Sequence, residues 1–240
     1  MSHSDSTPPV NTTTDSAQDR TTAVPQPTLP APEPDECEVL LIRHGRSADV
    51  VPGSPDSVDP PLHVIGVRQA QLLAERLAGK TLHAVYSSQL ARALQTAAPL
   101  AAARGLQTVV FRDLEEVRLG AWGNGEFRRR AAVRDPEWVA WSRTGRWDGI
   151  PGAEGDDAFR ARVSGVIDAL AARHPGQSIA VVAHGGSINA YLAHLLGIHR
   201  SMVLTVENTS VTKMRVGPHG PTIVTANDCH HLYDPVLAST

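Results

Sequence analysis

Aromatic side chains are scarce: three Phe, four Trp and three Tyr make up 4% of 240 residues. The core must therefore be built mostly from Ala, Leu and Val, within a hydrophobic content of 41%. Cysteine is scarcer still. Cys37 and Cys229 cannot make a disulfide framework, and they lack the partners of a zinc site. No apolar run approaches the roughly 20 residues of a membrane span. The opening MSHSDSTPPV has neither the basic nor the apolar region of a secretory signal. A basic excess is also missing. Lys and Arg total 22 against 25 Asp and Glu, a net charge of −3, which argues against a nucleic-acid or membrane-surface binder. These absences predict a soluble protein of a reducing compartment, the cytoplasm, and the length suits one globular domain.

What is present is unevenly spread. Residues 1–36 hold seven prolines, seven threonines, six acids and the single base Arg20, a net charge of −5 that leaves +2 for the rest. Such a segment buries too little apolar surface to offset its ordering entropy, so a disordered acidic tail is expected. From residue 37 an α/β pattern begins. EVLLI (38–42), HAVYSS (83–88), QTVVF (107–111) and SIAVVA (178–183) read as strands, joined by SVTKMRV (210–216) and PTIVTAN (221–227). Helical spacing marks 66–80, 87–105, 156–174 and 187–197, with a kink expected at Pro99. Alternating strands and helices predict a largely parallel sheet with helices on both faces. Residues 112–155 fit neither period and hold all four tryptophans and the run Arg128-Arg129-Arg130.

Ligands of open α/β sheets bind beyond the carboxyl ends of the strands. There the sequence places Arg43-His44-Gly45, Arg92 one turn into a helix, Asp113-Leu114-Glu115-Glu116, and His184-Gly185-Gly186-Ser187 opening a helix. Arginine forks and a His-Gly-Gly turn at a helix N-terminus suit a phosphoryl group. No Walker-type loop and no magnesium-holding acidic cluster is visible, so neither a metal nor a cofactor is expected. A neutral histidine is itself a competent nucleophile toward phosphorus.

The ordered set LIRHGRS, SSQLARALQTA, LEEVRLGAW and VVAHGGSI resembles the histidine phosphatase superfamily, the phosphoglycerate-mutase-like enzymes, over roughly residues 37–216. RHG alone would be a weak signal; four motifs in order are a strong one. The resemblance implies a three-layer sandwich with a mostly parallel central sheet flanked by helices, in a domain spanning 37–240 with a cap-like segment at about 120–155. It also implies His44 as a transiently phosphorylated nucleophile and Arg43, Arg92, His184 and Gly185 as the phosphate site. Glu116 is implied as proton donor and acceptor, with Glu115 its alternative, and His184 as the second histidine of the centre. Two adjacent arginines should keep His44 neutral. The expected activity is that of a metal-independent phosphomonoesterase. The expected partners are a small anionic phosphate ester and a possible second copy of the chain, with no nucleic acid or membrane.

Several positions depart from the family pattern: Arg46 after RHG, Val50, the W-G-N at 122–124, and Ala153-Glu154-Gly155. They alter the surroundings of the leaving group, so no relative's substrate transfers, and Arg46 hints at an anionic one. The alternatives are a phosphoglycerate mutase, a non-catalytic phospho-ligand binder and a phosphoprotein phosphatase. Between the acid segment and His184 the mutases' longer insertion is missing, and HGGSI resembles the phosphatase branch more than the mutase HGNS. Retention of Arg43, His44 and His184 speaks against the binder, and a lid-length 120–155 segment against an open protein-phosphatase pocket. His63, His83, His174, His194, His199 and the His230-His231 pair read as surface or packing residues, the tryptophans as packing, and the arginine run as a solvated face.

Overall fold

The computed structural model describes residues 33–233, so the expected tail lies almost wholly outside them. Six strands form one mixed sheet in the order β3-β2-β4-β1-β5-β6. They are β1 (Cys37–Arg43), β2 (Ala84–Ser87), β3 (Thr108–Val110), β4 (Ser178–Ala183), β5 (Val211–Gly217) and β6 (Gly220–Asp228). β3, β2, β4 and β1 run parallel, and β5 and β6 add an antiparallel edge beside β1.

The apolar runs predicted as strands buried on both faces are so because pleating sends alternate residues to two cores. From β1, Leu40 and Ile42 join Leu73, Ala93, Ala97 and Leu100 of α1 (Val64–Arg76) and α2 (Ala91–Ala102) on one face. Val39 and Leu41 join Phe159, Ile167, Ile188 and Tyr191 of α5 (Asp156–Ala172) and α6 (Gly185–Leu195) on the other. This is the three-layer architecture expected from the sequence. β3 is a partly exposed edge, which explains its brevity. α2 starts four residues later than its pattern, because Ser87 is still in β2 and the Asp59 carboxylate caps the helix by accepting from Ala91 N at 3.0 Å. It continues past Pro99 to Ala102.

The aperiodic stretch contains two short helices, α3 (Glu126–Ala132) and α4 (Pro136–Thr144), flanked by the 3₁₀ turns Gly120–Trp122 and Trp147–Gly149. Its aromatics pack on one another, with ring centroids of Phe127 and Trp141 at 5.0 Å and of Trp141 and Trp147 at 4.9 Å. Trp122 and Trp147 are buried in the same core as Val39, Phe159 and Ile188, with Phe127, Trp138 and Trp141 packed against it, so the tryptophans tie this segment to the sheet's core. Among the described residues no helix is long and apolar enough to cross a membrane.

Candidate active site

Strand register builds the site. β1 and β4 are adjacent, parallel and aligned with Arg43 opposite Ala183, so the next residue of each, His44 and His184, project side by side. Their ring centroids are 5.1 Å apart, and both are buried. β2 lies on the other side of β4 with Ser87 opposite Val182, which brings Ser88 beside His184. Distant segments of sequence converge here because parallel strands all end at the same sheet edge.

His44 Nδ1 lies 2.7 Å from the Gly45 carbonyl oxygen. A carbonyl only accepts, so Nδ1 carries the proton and Nε2 keeps its lone pair. That lone pair accepts from Arg92 Nε at 3.3 Å. His184 Nε2 is 2.9 Å from the Ser88 hydroxyl, while its Nδ1 is buried without a hydrogen-bond partner. Arg43 donates through Nη1 to the Val206 carbonyl at 2.5 Å, and its buried Nε has no partner either. These two buried nitrogens at one strand edge have hydrogen-bonding capacity left for a ligand.

The helical motif SSQLARALQTA can be read atom by atom. Ser88 orients His184 and Arg92 meets His44. Gln95 Oε1 accepts from Leu62 N at 2.7 Å, and Thr96 Oγ1 accepts from Gly45 N at 2.9 Å, fixing the loops around His44.

The two candidate carboxylates are separated clearly. Glu115 is buried, taking Arg118 Nε at 2.6 Å and Gln89 Nε2 at 2.8 Å, so its role here is an anchor. Glu116 Oε2 accepts from Gly186 N at 3.1 Å at the start of α6, and its charge is felt by Arg43 and Arg92. Gly185 sits next to Arg43, where a Cβ would make ordinary contact with Nε at 3.6 Å. At Gly186 a Cβ would fall 2.1 Å from Glu116 Oε1, so any larger residue there displaces that carboxylate. Glu154, from the unusual Ala-Glu-Gly, holds Arg162 at 2.6 Å, and Arg162 donates to the Asp113 and Glu115 carbonyls. It thereby fixes the segment that carries Glu116.

Sequence reading missed two supports. Asp59, in a loop with no periodicity, lies 3.6 Å from Arg92 Nη1 as well as capping α2. The turn at 205–209 grips the end of β1: Asn208 Nδ2 donates to the His44 carbonyl at 2.9 Å and Thr209 N to the Arg43 carbonyl at 3.0 Å. Thr209 has φ of +55°, a strained conformation for a β-branched residue. Its hydroxyl is 3.1 Å from Nε2 of His231, so that histidine latches the turn. The string Glu207-Asn208-Thr209-Ser210 offered the one available signal, turn-forming residues just before a strand.

The family model described as histidine phosphatase superfamily (branch 1) matches residues 39–229. The chain belongs to the histidine phosphatase superfamily. Phosphoglycerate mutase-like protein 4 of Arabidopsis thaliana is 32% identical over 186 residues, covering 76% of this chain and 80% of its own. The solved mycobacterial glucosyl-3-phosphoglycerate phosphatase is 25% identical with a TM-score of 0.68, covering 80% of this chain and 99% of that one. A second solved structure, mycobacterial hydrolase 2, has a TM-score of 0.69 at 25% identity, covering 85% and 96%.

In this member of the superfamily, burial holds the pKa of His44 well below its ordinary value of 6.5, and Arg92 and Arg43 push it further down. Burial does the same to His184, reinforced by His44 and the two arginines. Both rings are neutral in the folded chain but protonate below pH 6.5 when it unfolds. The unfolded chain then binds more protons, so stability falls as pH drops below 6.5, by up to about 1.4 kcal/mol per pH unit for each histidine. His231, lowered to about 4 chiefly by burial, adds to this. Asp156, raised to about 6 chiefly by burial, opposes it between its folded value and the usual 3.8. Thermal unfolding at pH 7.5 and 5.5 should show a lower midpoint at pH 5.5, and His44→Gln should shrink that drop. An unchanged drop in the variant would mean that His44 is charged in the folded protein.

Proposed function

We propose that the chain is a metal-independent phosphomonoesterase that works through a phosphohistidine on His44. The observation that carries this reading is the 2.7 Å contact of His44 Nδ1 with the Gly45 carbonyl, which leaves the lone pair on Nε2. In the first step His44 Nε2 attacks phosphorus as the ester P–O bond breaks, and Glu116 gives its proton to the leaving alkoxide. In the second, Glu116 takes a proton from water, the oxygen forms the new bond to phosphorus, and the N–P bond breaks to return neutral His44. Arg92, released from His44 Nε2, and Arg43 Nε donate to the phosphoryl oxygens. His184 joins them in the tautomer in which its Nε2 accepts from the Ser88 hydroxyl, 2.9 Å away, and the unpaired Nδ1 carries the proton. The cationic charge that phosphoryl transfer requires is thus supplied by side chains.

Hydrolysis is favoured over mutase transfer by the modest cap between Glu116 and His184, made of α3 and α4, and by the His-Gly-Gly-Ser turn. The deciding experiment is turnover of an aryl phosphate in excess chelator, followed by rapid quench with labelled substrate. We expect sustained phosphate release and an acid-labile, base-stable phosphoryl group that maps to His44. A labelled residue other than His44, or turnover abolished by the chelator and restored by a divalent metal, would overturn the proposal. A phosphoenzyme that forms but persists in water would favour the mutase reading.

A further inference from the structure

The end of β1 is held by the turn at 205–209, and the turn is held in its own right by the segment that ends β6. Three groups of the turn face the site: the Val206 carbonyl accepts from Arg43 Nη1, Asn208 Nδ2 donates to the His44 carbonyl, and Thr209 N to that of Arg43. From behind, Asn227 of β6 fixes the first half of the turn. It accepts from Glu207 N at 2.7 Å and donates to the Thr205 carbonyl at 2.8 Å. The second half, where Thr209 has its positive φ, is met by His231 of the 3₁₀ turn His230–Leu232. Sequence reading grouped His230 and His231 together as packing residues, and the structure separates them. His230 is exposed, whereas His231 joins Thr209 to Arg76 of α1. His231 also lies beyond residue 229, where the family match ends.

Every hydrogen bond on this path has an assigned direction. A guanidinium only donates, and Arg76 Nη1 lies 3.1 Å from His231 Nδ1. Nδ1 therefore accepts, the ring proton sits on Nε2, and Nε2 donates to Thr209 Oγ1 at 3.1 Å. The threonine hydroxyl keeps its own proton for the Asn208 carbonyl at 2.7 Å. Asp228 pairs with Arg76 Nη2 and neutralises its charge. Burial and then Arg76 lower the pKa of His231 to about 4, against the pull of Asp228 and with a smaller push from His230, so the ring is neutral at pH 7. A β-branched residue keeps a left-handed backbone only where its surroundings over-determine it. Thr209 is fully buried, and its hydroxyl is tied on one side to His231 and on the other to the Asn208 carbonyl. Without the His231 donor, Thr209 relaxes toward negative φ. That rotation turns its N–H away from the Arg43 carbonyl and draws Asn208 off the carbonyl of His44. Resting on the phosphatase reading above, we propose that His231 is a positioning residue for phosphoryl transfer, acting through Thr209 to hold the main chain of Arg43 and His44 in line with phosphorus.

The test compares His231→Leu, which removes the donor but still fills the space, with His231→Gln, whose amide N–H reaches toward Thr209. Thr209→Val removes the hydroxyl and keeps the shape of the residue. His230→Gln, at the exposed neighbour, is the control. Phosphorylation of His44 by an aryl phosphate is timed by rapid quench, well below every variant's unfolding midpoint. NMR follows the His44 Nδ1 proton, which lies against the Gly45 carbonyl. We expect His231→Leu to phosphorylate about ten-fold more slowly, the size of one lost hydrogen bond, and to shift the Nδ1 proton signal. Thr209→Val should do the same, and the double variant should be no slower than either alone, because both changes break one link. His231→Gln should recover most of the rate, and His230→Gln should change neither rate nor signal. A natural rate and a natural signal in His231→Leu, with only a lowered midpoint, would reduce His231 to packing and overturn the proposal. Losses that multiply in the double variant would overturn the route through Thr209. If His231→Leu does not fold, a natural rate and signal in Thr209→Val would overturn it equally. Failure of the phosphatase reading would show separately, as no phosphohistidine in the natural chain while the His44 signal still responds to both changes.

Discussion

His44→Gln is expected to lower kcat on an aryl phosphate by at least about a thousand-fold, the scale of removing a covalent nucleophile. The carboxamide can still donate to the Gly45 carbonyl that His44 Nδ1 meets at 2.7 Å, so the buried acceptor is not abandoned. It cannot attack phosphorus to form the N–P bond. One imperfect hydrogen bond in place of a good one costs about 1 kcal/mol, or about 2–4 °C in a domain of this size. Arg43, Arg92 and His184 remain, and so inorganic phosphate should still bind within about ten-fold of its normal affinity. The combination separates two explanations. Lost turnover with retained phosphate binding means a missing nucleophile, whereas loss of both means a collapsed pocket. A variant that keeps more than a tenth of the rate would remove His44 from the nucleophile role.

The fold was legible because its core strands, β1 and β4, are continuous apolar runs, and only a two-sided sheet buries such a run. The site was legible for the same reason. Once β1 and β4 are parallel neighbours, the residues that follow them must meet, and these are His44 and His184. Less legible was everything that depends on loops from the other end of the sequence. Asp59 reaches Arg92 from a loop rich in Pro, Gly and Ser, which carries no periodic signal. Asn208 and Thr209 act on His44 and Arg43 through backbone atoms, and backbone partners leave little trace in side-chain chemistry. Glu115 and Glu116 are adjacent and chemically alike, so only the observed turn of the chain shows which carboxylate faces α6. The arginine run is a solvated face in large part: Arg128 and Arg129 are exposed and Arg130 is half-buried, because consecutive helical residues point in directions about 100° apart. The aperiodic cap conceals its two short helices because their apolar residues pack on each other across the cap and not along one stripe.

Gly186→Ala is expected to lower kcat by about a hundred-fold for an alkyl phosphate and by much less for a nitrophenyl phosphate. A Cβ at this position would lie 2.1 Å from Glu116 Oε1 and 3.0 Å from its Cδ. The obstructing atoms are the far end of a flexible side chain, so the carboxylate swings aside and the fold is not forced to give. Alanine is also the better helix former by about 1 kcal/mol, which further protects the stability of α6. What is lost is the hold of Gly186 N on Glu116 Oε2 at 3.1 Å, and with it the placement of the proposed general acid. An alkoxide leaving group needs that proton as the P–O bond breaks, whereas a nitrophenolate leaves readily without one. The predicted signature is therefore a rate loss that grows with the pKa of the leaving alcohol, with an unchanged unfolding midpoint and unchanged phosphate binding. Equal losses for both esters would show that Glu116 does not act as the acid in bond breaking. A displaced Glu116 also weakens activation of water in the second step, so the phosphohistidine on His44 should live longer in Gly186→Ala when a nitrophenyl ester loads it. Rapid quench would reveal this as a higher steady-state fraction of phosphorylated enzyme than in the natural chain. A fraction that stays at the natural level would confine Glu116 to the first step and leave the second to another base.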